Sequence, residues 1–402
     1  MAVNLSFDVS LMVKPLSTRS SYTRNNAIRL IHGGRAYFQV LEEMIDEARE
    51  SIHFQMYIYD ADETGVRIAN ALKRAASRKV KVHMMLDGYA SRPLPPGFVD
   101  ELQAAGIYFR WFQPLFKGDN FFVGRRMHHK VVVADALHSL VSGRNISNRY
   151  NDLPGHPGWL DWAVYTTGDI STELYNRCVQ MYYRRPPTPP ARMGLHSSAD
   201  ECLIRMRVND WVRNKNQISR SYLEMLQGAQ HSITIMSSYF MPGRVFRKNL
   251  RLASKRGLRI RVILTKLSDV PIAKQAERFF YPWLLRRNIE VYEYRRKILH
   301  GKIACSDGAF VTVGSYNIND LSAYASIELN LDVQHGEFAT EVERSLERII
   351  QEDCDRITAD DLQHKTHWWN TALYRIAYTL FRTFLFTFTI PSDPERRITR
   401  RL

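Results

Sequence analysis

Two short stretches of this chain repeat one another. Residues 127–135 read MHHKVVVAD and residues 299–307 read LHGKIACSD. His128, Lys130 and Asp135 match His300, Lys302 and Asp307 at a single offset, because 300 − 128, 302 − 130 and 307 − 135 all equal 172. Asn145 and Asn317 keep the same offset. With each residue type at about 3–5% of a chain, four such coincidences arise by chance on the order of once in a thousand sequences. A period this long is far beyond that of a solenoid, so duplication of a whole domain is the natural account. Any fold for this chain must contain one architecture twice.

The flanking stretches agree. ARESIHFQMYIYD (48–60) resembles AQHSITIMSSYFM (229–241), LKRAASRKVKVHMMLD (72–87) resembles LRLASKRGLRIRVILT (250–265), and AGIYFRWF (105–112) resembles RNIEVYEY (287–294). Each half thus alternates helical stretches with β-rich runs, the signature of an α/β layer architecture. Between the halves lies RRPPTPPARMGLHSSADE (184–201), with four prolines within 186–190. Such a segment continues neither a helix nor a central strand. It reads as a linker between a domain over 26–183 and one over 202–362, with 1–25 an N-terminal extension and 363–402 a C-terminal segment. A chain of 402 residues suffices for two domains with sizeable cores.

In each half the motif opens a predicted strand, KVVVAD or KIACSD. HSLVSGRNIS and AFVTVGSYNIN supply a second strand and a Gly-rich turn. Residues i and i+2 of a strand share a face. His128 and Lys130 therefore point the same way, as do His300 and Lys302, and the hairpin brings His, Lys and Asn to one end of a sheet. Asp135 and Asp307 complete the catalytic motif, but at odd spacing they face away from the lysines and take a supporting role.

Two such sets facing each other suit a phosphodiester. Lys130 and Lys302 offset the anionic phosphoryl oxygens, and Asn145 and Asn317 add hydrogen bonds. Both gain strength in a water-poor site as charge builds on five-coordinate phosphorus. One histidine attacks phosphorus as a neutral nucleophile while the other, protonated, donates to the leaving oxygen. Imidazole, with an unperturbed pKa of ~6.5, makes both roles accessible near neutrality. Asp161 in GWLDWAV and Glu328 in YASIELNLD are placed to hold the imidazoles through Nδ1–H. Whether each serves its own half or the other is left open by the spacing. A metal site on His128, His129 and His300 would need carboxylates or more histidines nearby, and lysine is a poor neighbour for a cation. Cys305 is expected to pack inside its strand.

The net charge of +15 calls for an anionic partner, nucleic acid or an acidic membrane surface. Four scattered cysteines without a CxxC pair imply no zinc or disulfide framework. The start of the chain lacks the pattern of a signal peptide, so a reducing, cytoplasmic setting is expected.

HHKVVVAD…SGRN and HGKIACSD…GSYN together resemble the paired HxKxxxxD…GxN motifs of the phospholipase D superfamily. SYFMPG (238–243), DVPIAK (269–274), EYRRKILHGK (293–302), RRMHHK (125–130) and THWWN (366–370) resemble its bacterial cardiolipin synthases, the B-type without N-terminal membrane spans. The resemblance implies two homologous phospholipase D-like α/β/α sandwich domains with the active site at their interface. It also implies a phosphatidyl–histidine intermediate, with no metal or other cofactor. On superfamily precedent His128 is the nucleophile and His300 the acid and then the base. Ser315 matches the GSxN serine and joins the phosphate contacts. The first half departs from that pattern with Ser142–Gly143–Arg144–Asn145, which sets Arg144 beside the site as an extra cation.

The end of the chain separates lipid from nucleic acid. HWWNTALYRIAYTLFRTFLFTFTIP (367–391) is rich in aromatic and aliphatic residues, broken by Arg375 and Arg382. It has no uninterrupted apolar run of the length that spans a bilayer. A segment of this kind lies in the membrane interface, and the four arginines of PERRITRRL favour anionic lipid. Packing on the protein's own core is the alternative. The expected activity is transphosphatidylation from phosphatidylglycerol to the hydroxyl of a second phospholipid, with release of glycerol. The expected setting is peripheral, on the cytoplasmic face of the bacterial inner membrane, with anionic phospholipid and no nucleic acid as partner. A metal-independent nuclease, a phospholipase using water and a non-catalytic binding module remain as alternatives. Two internal copies make a complete site possible within one monomer.

Overall fold

Strands and helices follow one another in the same order twice. The computed structural model describes residues 22–114, 116–117, 120–121, 125–184, 202–210, 215–319, 326–365, 373–380 and 383. Nearly all of the expected N-terminal extension and linker, and most of the C-terminal segment with THWWN, lie outside these residues. The first half runs β1 (Asn26–His32), α1 (Gly34–Glu47), β2 (Ser51–Met56), α2 (Glu63–Ser77), β3 (Lys81–Asp87), α3 (Pro96–Ala104) and β4 (Tyr108–Phe112). Short strands β5 (Phe116–Lys117), β6 (Asn120–Phe121) and β7 (Arg126–Met127) precede β8 (Lys130–Ala134), β9 (His138–Ser142), β10 (Trp162–Gly168) and α4 (Asp169–Tyr183). The second half runs β11 (Leu203–Asp210), β12 (Lys215–Asn216), α5 (Gln217–Gly228), β13 (Ser232–Ser237), α6 (Arg244–Lys255), β14 (Arg259–Thr265), α7 (Pro271–Arg278) and α8 (Tyr281–Leu285). It continues through β15 (Glu290–Tyr294), β16 (Lys302–Ser306), β17 (Phe310–Gly314), β18 (Ser326–Gln334), α9 (Gly336–Asp353) and β19 (Cys354–Ile357).

The first sheet has the order β1-β10-β9-β8-β2-β3-β4, and the second repeats it as β11-β18-β17-β16-β13-β14-β15, with β12 and β19 added at its edges. Within each sheet the three strands joined by helical crossovers are parallel, β2 to β4 and β13 to β15. The motif hairpins β8–β9 and β16–β17 are antiparallel, as short connections require.

Period-two patterning splits each central strand between two cores. Val131 and Val133 of β8 enter a core that also holds Ile303, Cys305, Val313 and Leu331 of the second half, with Leu174 of α4 and Val342 of α9. Val132 and Ala134 face the other way, into a core roofed by Phe38 and Leu41 of α1 and Leu72 of α2. The second half has its own outer core, where Leu226 of α5 and Leu250 of α6 cover Ile235 and Val262. Each sheet is thus covered on both faces, and the shared core fixes the two halves against one another. All four cysteines are free and buried, Cys305 within β16.

Residues 373–380 form a further helical stretch on the second half. Ala377 enters the outer core, and the Tyr378 ring stacks on Phe279 at 5.0 Å. Leu373, Ile376 and Leu380 point outward, 49%, 56% and 55% exposed. No described helix is long and apolar enough to cross a membrane.

Candidate active site

Each histidine sits where its chain crosses to the other half. β7, from the first half, pairs in parallel with β18 of the second, Met127 opposite Ile327. The backbone N–H groups of His128 and His129 both donate to the Ile327 carbonyl, at 3.0 and 3.1 Å. In return Leu160 N–H donates to the Ile298 carbonyl at 2.9 Å, and His300 N–H to the Leu160 carbonyl at 2.7 Å. The strands begin at Lys130 and Lys302, as the sequence reading has them, and the backbone just before each is paired across the halves.

The carboxylates complete the crossing. His128 Nδ1 lies 2.9 Å from Glu328 Oε2, and His300 Nδ1 lies 2.6 Å from Asp161 Oδ2. Asp161 and Glu328 hold equivalent places: Gly143 N–H donates to the carbonyl of Trp162, one residue past Asp161, and Ser315 N–H to that of Leu329, one past Glu328. Both carboxylates are fully buried. Accepting Nδ1–H, each fixes the tautomer that leaves Nε2 with its lone pair. Lys130 Nζ donates to the His128 carbonyl, and Lys302 Nζ to the His300 carbonyl.

Burial governs the protonation states. It pushes both imidazoles below their ordinary range, against the pull of Glu328 on His128 and of Asp161 on His300. It also pushes Lys130 down to about 7 and Lys302 down to about 8, with the two carboxylates opposing. Lys302 acts on His128 and Lys130 on His300, so the two motifs form one electrostatic unit. Burial favours the neutral Asp161 acid, but Lys302, the His300 hydrogen bond and Arg144 together keep its pKa below the usual carboxylate value.

Several sequence assignments are corrected. Asp135 and Asp307 are not at the site. Each follows the last residue of its strand, five residues from the lysine, roughly 16 Å at ~3.3 Å per residue. Asp135 accepts from the N–H groups of Arg49, Glu50 and Ser51, and Asp307 from those of Gln230, His231 and Ser232. They pin the start of β2 and of β13. The Ser315 hydroxyl donates to Glu328 Oε2 at 2.5 Å and so is committed to the carboxylate that bonds His128. The two asparagines are partly committed as struts: Asn145 Oδ1 accepts from Ile58 N–H while its Nδ2 donates to Tyr150 Oη, and Asn317 Oδ1 accepts from Ser238 Oγ. His129 turns into the core and bonds Gln55 Oε1 at 2.9 Å. Among the described residues, no three His, Cys, Asp or Glu side chains group as a metal needs.

Other contributors escaped the sequence reading. Tyr57 stands edge-on to the His128 ring at 4.7 Å and lies under Lys130 Nζ at 5.0 Å. Tyr150 and Trp159 flank the His300 ring at 5.2 and 5.9 Å. Asp87, fully buried at the end of β3, accepts from Met127 N–H at 2.8 Å and so anchors the crossing strand. Tyr57 and Asp87 lie in stretches already marked as repeated, but repetition marks a strand and not what its end touches.

Comparison with known proteins agrees with this architecture. The family described as "Cardiolipin synthase, PLD-like domain" matches residues 41–154 and 222–350. Cardiolipin synthase B of Shigella flexneri is 34% identical over 374 residues, 91% of this chain and 90% of that protein. Cardiolipin synthase B of Escherichia coli K12 gives the same identity and coverage. The crystal structure of phosphatidylserine synthase from Haemophilus influenzae Rd KW20 superposes with a TM-score of 0.73 at 13% identity, covering 92% of this chain and 97% of that one, which shows a common fold. With its duplicated sheets, paired motifs and this extent of similarity, the chain belongs to the cardiolipin synthase family of PLD-like domain proteins.

Proposed function

We propose that this protein is a phosphatidyltransferase that makes cardiolipin from two molecules of phosphatidylglycerol. The observation that carries the reading is the crossed pair of histidines, each oriented by the opposite half's carboxylate beside the two lysines. His128 Nε2 attacks the donor phosphorus, and the bond from phosphorus to the head-group oxygen breaks. His300, whose proton the bound phosphate anion favours, gives it to that oxygen, and glycerol leaves. His300 then takes the proton from the hydroxyl of the second phosphatidylglycerol. That oxygen bonds to phosphorus, the His128 N–P bond breaks, and both histidines regain their starting states. Lys130 and Lys302 stabilise the charge on phosphorus in both steps. Water as acceptor gives phosphatidic acid.

Such a substrate is met at a membrane surface. The outward residues Leu373, Ile376 and Leu380, with Arg375 on an exposed position of the same stretch, suit the interface of an anionic bilayer. These residues support a peripheral position, which we assign to the cytoplasmic face of the inner membrane. Flotation with phosphatidylglycerol vesicles is expected to recover the protein, and Ile376→Asp with Leu380→Asp to reduce that recovery.

The reaction is tested by giving purified protein 32P-labelled phosphatidylglycerol in EDTA and separating the lipids. Labelled cardiolipin and free glycerol are expected. A covalently labelled enzyme should be trapped from His300→Asn and not from His128→Asn. Phosphatidic acid as sole product, or label retained without His128, contradicts the proposal.

A further inference from the structure

Arg144 stands where the second half has Tyr316. Its side chain is fully buried, yet no described carboxylate lies within ion-pair distance of it. Instead Nη1 donates to the carbonyls of Tyr150 and Trp159, at 3.3 and 3.4 Å, and Nη2 donates to the carbonyl of Asp161. The guanidinium also lies 5.7 Å from the centre of the Tyr37 ring. Its Nε has no partner among the described residues. A buried cation satisfied by carbonyls alone is costly to keep.

The three carbonyls are not a random set. Tyr150, Trp159 and Asp161 are the first-half residues whose side chains flank or bond the His300 ring. One guanidinium therefore gathers the three backbone points that hold the second half's histidine. On the opposite side Tyr316 sends its hydroxyl towards Ser219 instead.

We propose that Arg144 is a positioning residue for His300. It fixes the walls and the carboxylate around that imidazole, and its charge draws the Asp161 anion partly away from the ring. Without the charge, Asp161 is balanced by Lys302 and His300 alone, so His300 binds its proton more readily. The inference rests on the reading of His300 as acid and base.

The test measures phosphatidyl transfer from phosphatidylglycerol vesicles across pH for the wild type, Arg144→Gln and Arg144→Lys, alongside thermal unfolding. For Arg144→Gln, kcat is expected to fall roughly 10–100-fold, with KM nearly unchanged and the limb set by His300, alkaline where it acts as the acid and acidic where it acts as the base, moved to higher pH. Arg144→Lys keeps the charge but not the full fork of donors, so a smaller fall with the limb in place is expected. A folded Arg144→Gln whose limb does not move overturns the inference. So does an unfolded Arg144→Gln beside an Arg144→Lys of wild-type kcat and profile, which confines Arg144 to folding. An unfolded Arg144→Gln beside an Arg144→Lys with reduced kcat and unchanged KM supports it. If the wild type transfers nothing, the proposed reaction has failed, and the role of Arg144 is read from NMR titration of 15N-labelled His300. An upward move in Arg144→Gln supports the inference there, and an unmoved titration overturns it; if that variant does not fold, a His300 signal shifted in Arg144→Lys supports it and an unshifted one overturns it.

Discussion

Replacing Gly143 with alanine adds one methyl group at the most confined point of the site. A Cβ built there lies 2.4 Å from Asp161 Oδ1, 2.7 Å from Oδ2 and 2.9 Å from Cγ. Ordinary contact begins at 3.4 Å, so the carboxylate must retreat by 3.4 − 2.4 = 1.0 Å. Asp161 has little freedom to do so elsewhere, since its backbone carbonyl is held by Arg144 and its Oδ1 accepts from Trp162 N–H at 2.7 Å. The bond that gives way is the one to His300, and 2.6 + 1.0 = 3.6 Å is no longer a hydrogen bond. A misplacement of ~1 Å costs about 10²-fold in rate, and complete loss of an orienting carboxylate up to ~10⁴-fold. The expected kcat for Gly143→Ala is therefore lower by about 10²–10⁴, with the overpacking costing about 1–3 kcal/mol of stability. The assay is steady-state phosphatidyl transfer on protein shown to be folded by circular dichroism. Ser315→Ala is the internal control: it removes the 2.5 Å donor to Glu328 without a clash, so a much smaller loss is expected. A folded Gly143→Ala with kcat within threefold of wild type refutes the reasoning.

The motif aspartates should behave in the opposite way. Asp135→Ala removes the acceptor of three backbone N–H groups and puts alanine at φ 54, so a loss of about 2 kcal/mol is expected, seen as a lower thermal midpoint, with kcat at 20 °C within about twofold of wild type. Lost activity at unchanged stability contradicts that assignment. The lysines set an alkaline limit: with Lys130 at about 7 and Lys302 at about 8 in the free enzyme, rising pH removes the charges that grip phosphate. kcat/KM is therefore expected to fall above about pH 7–8, while kcat falls later, because a bound phosphoryl anion raises both lysines. A limb near the ordinary lysine value of ~10.4 contradicts this.

Much of the fold was legible because duplication writes each element twice. The stretches flagged at 48–60 and 229–241 became β2 and β13, and those at 72–87 and 250–265 became a helix and strand in each half. The alternation in KVVVAD also shows in the structure, Val131 and Val133 facing one core and Val132 the other. The crossing of the carboxylates was not legible. Asp161 and Glu328 differ by 328 − 161 = 167, off the motif's own offset, and local pattern does not say which half a side chain meets. Nor could it say that Ser315 turns to Glu328, or that Gly143 must stay bare for Asp161, since both depend on packing between segments distant in sequence. A Cβ at Gly301 would likewise meet Trp162 of the other half at 2.7 Å, so the glycine between His300 and Lys302 answers to a partner no motif names.

The exchange of carboxylates between halves is open to direct measurement by 15N NMR of histidine-labelled protein, with Asp161→Asn and Glu328→Gln compared to wild type. The ring nitrogens of His300 should shift in Asp161→Asn while those of His128 stay nearly in place, and Glu328→Gln should do the reverse. Shifts confined in each variant to the histidine of the same half would mean that each half builds its own site, and the shared site described here would be wrong.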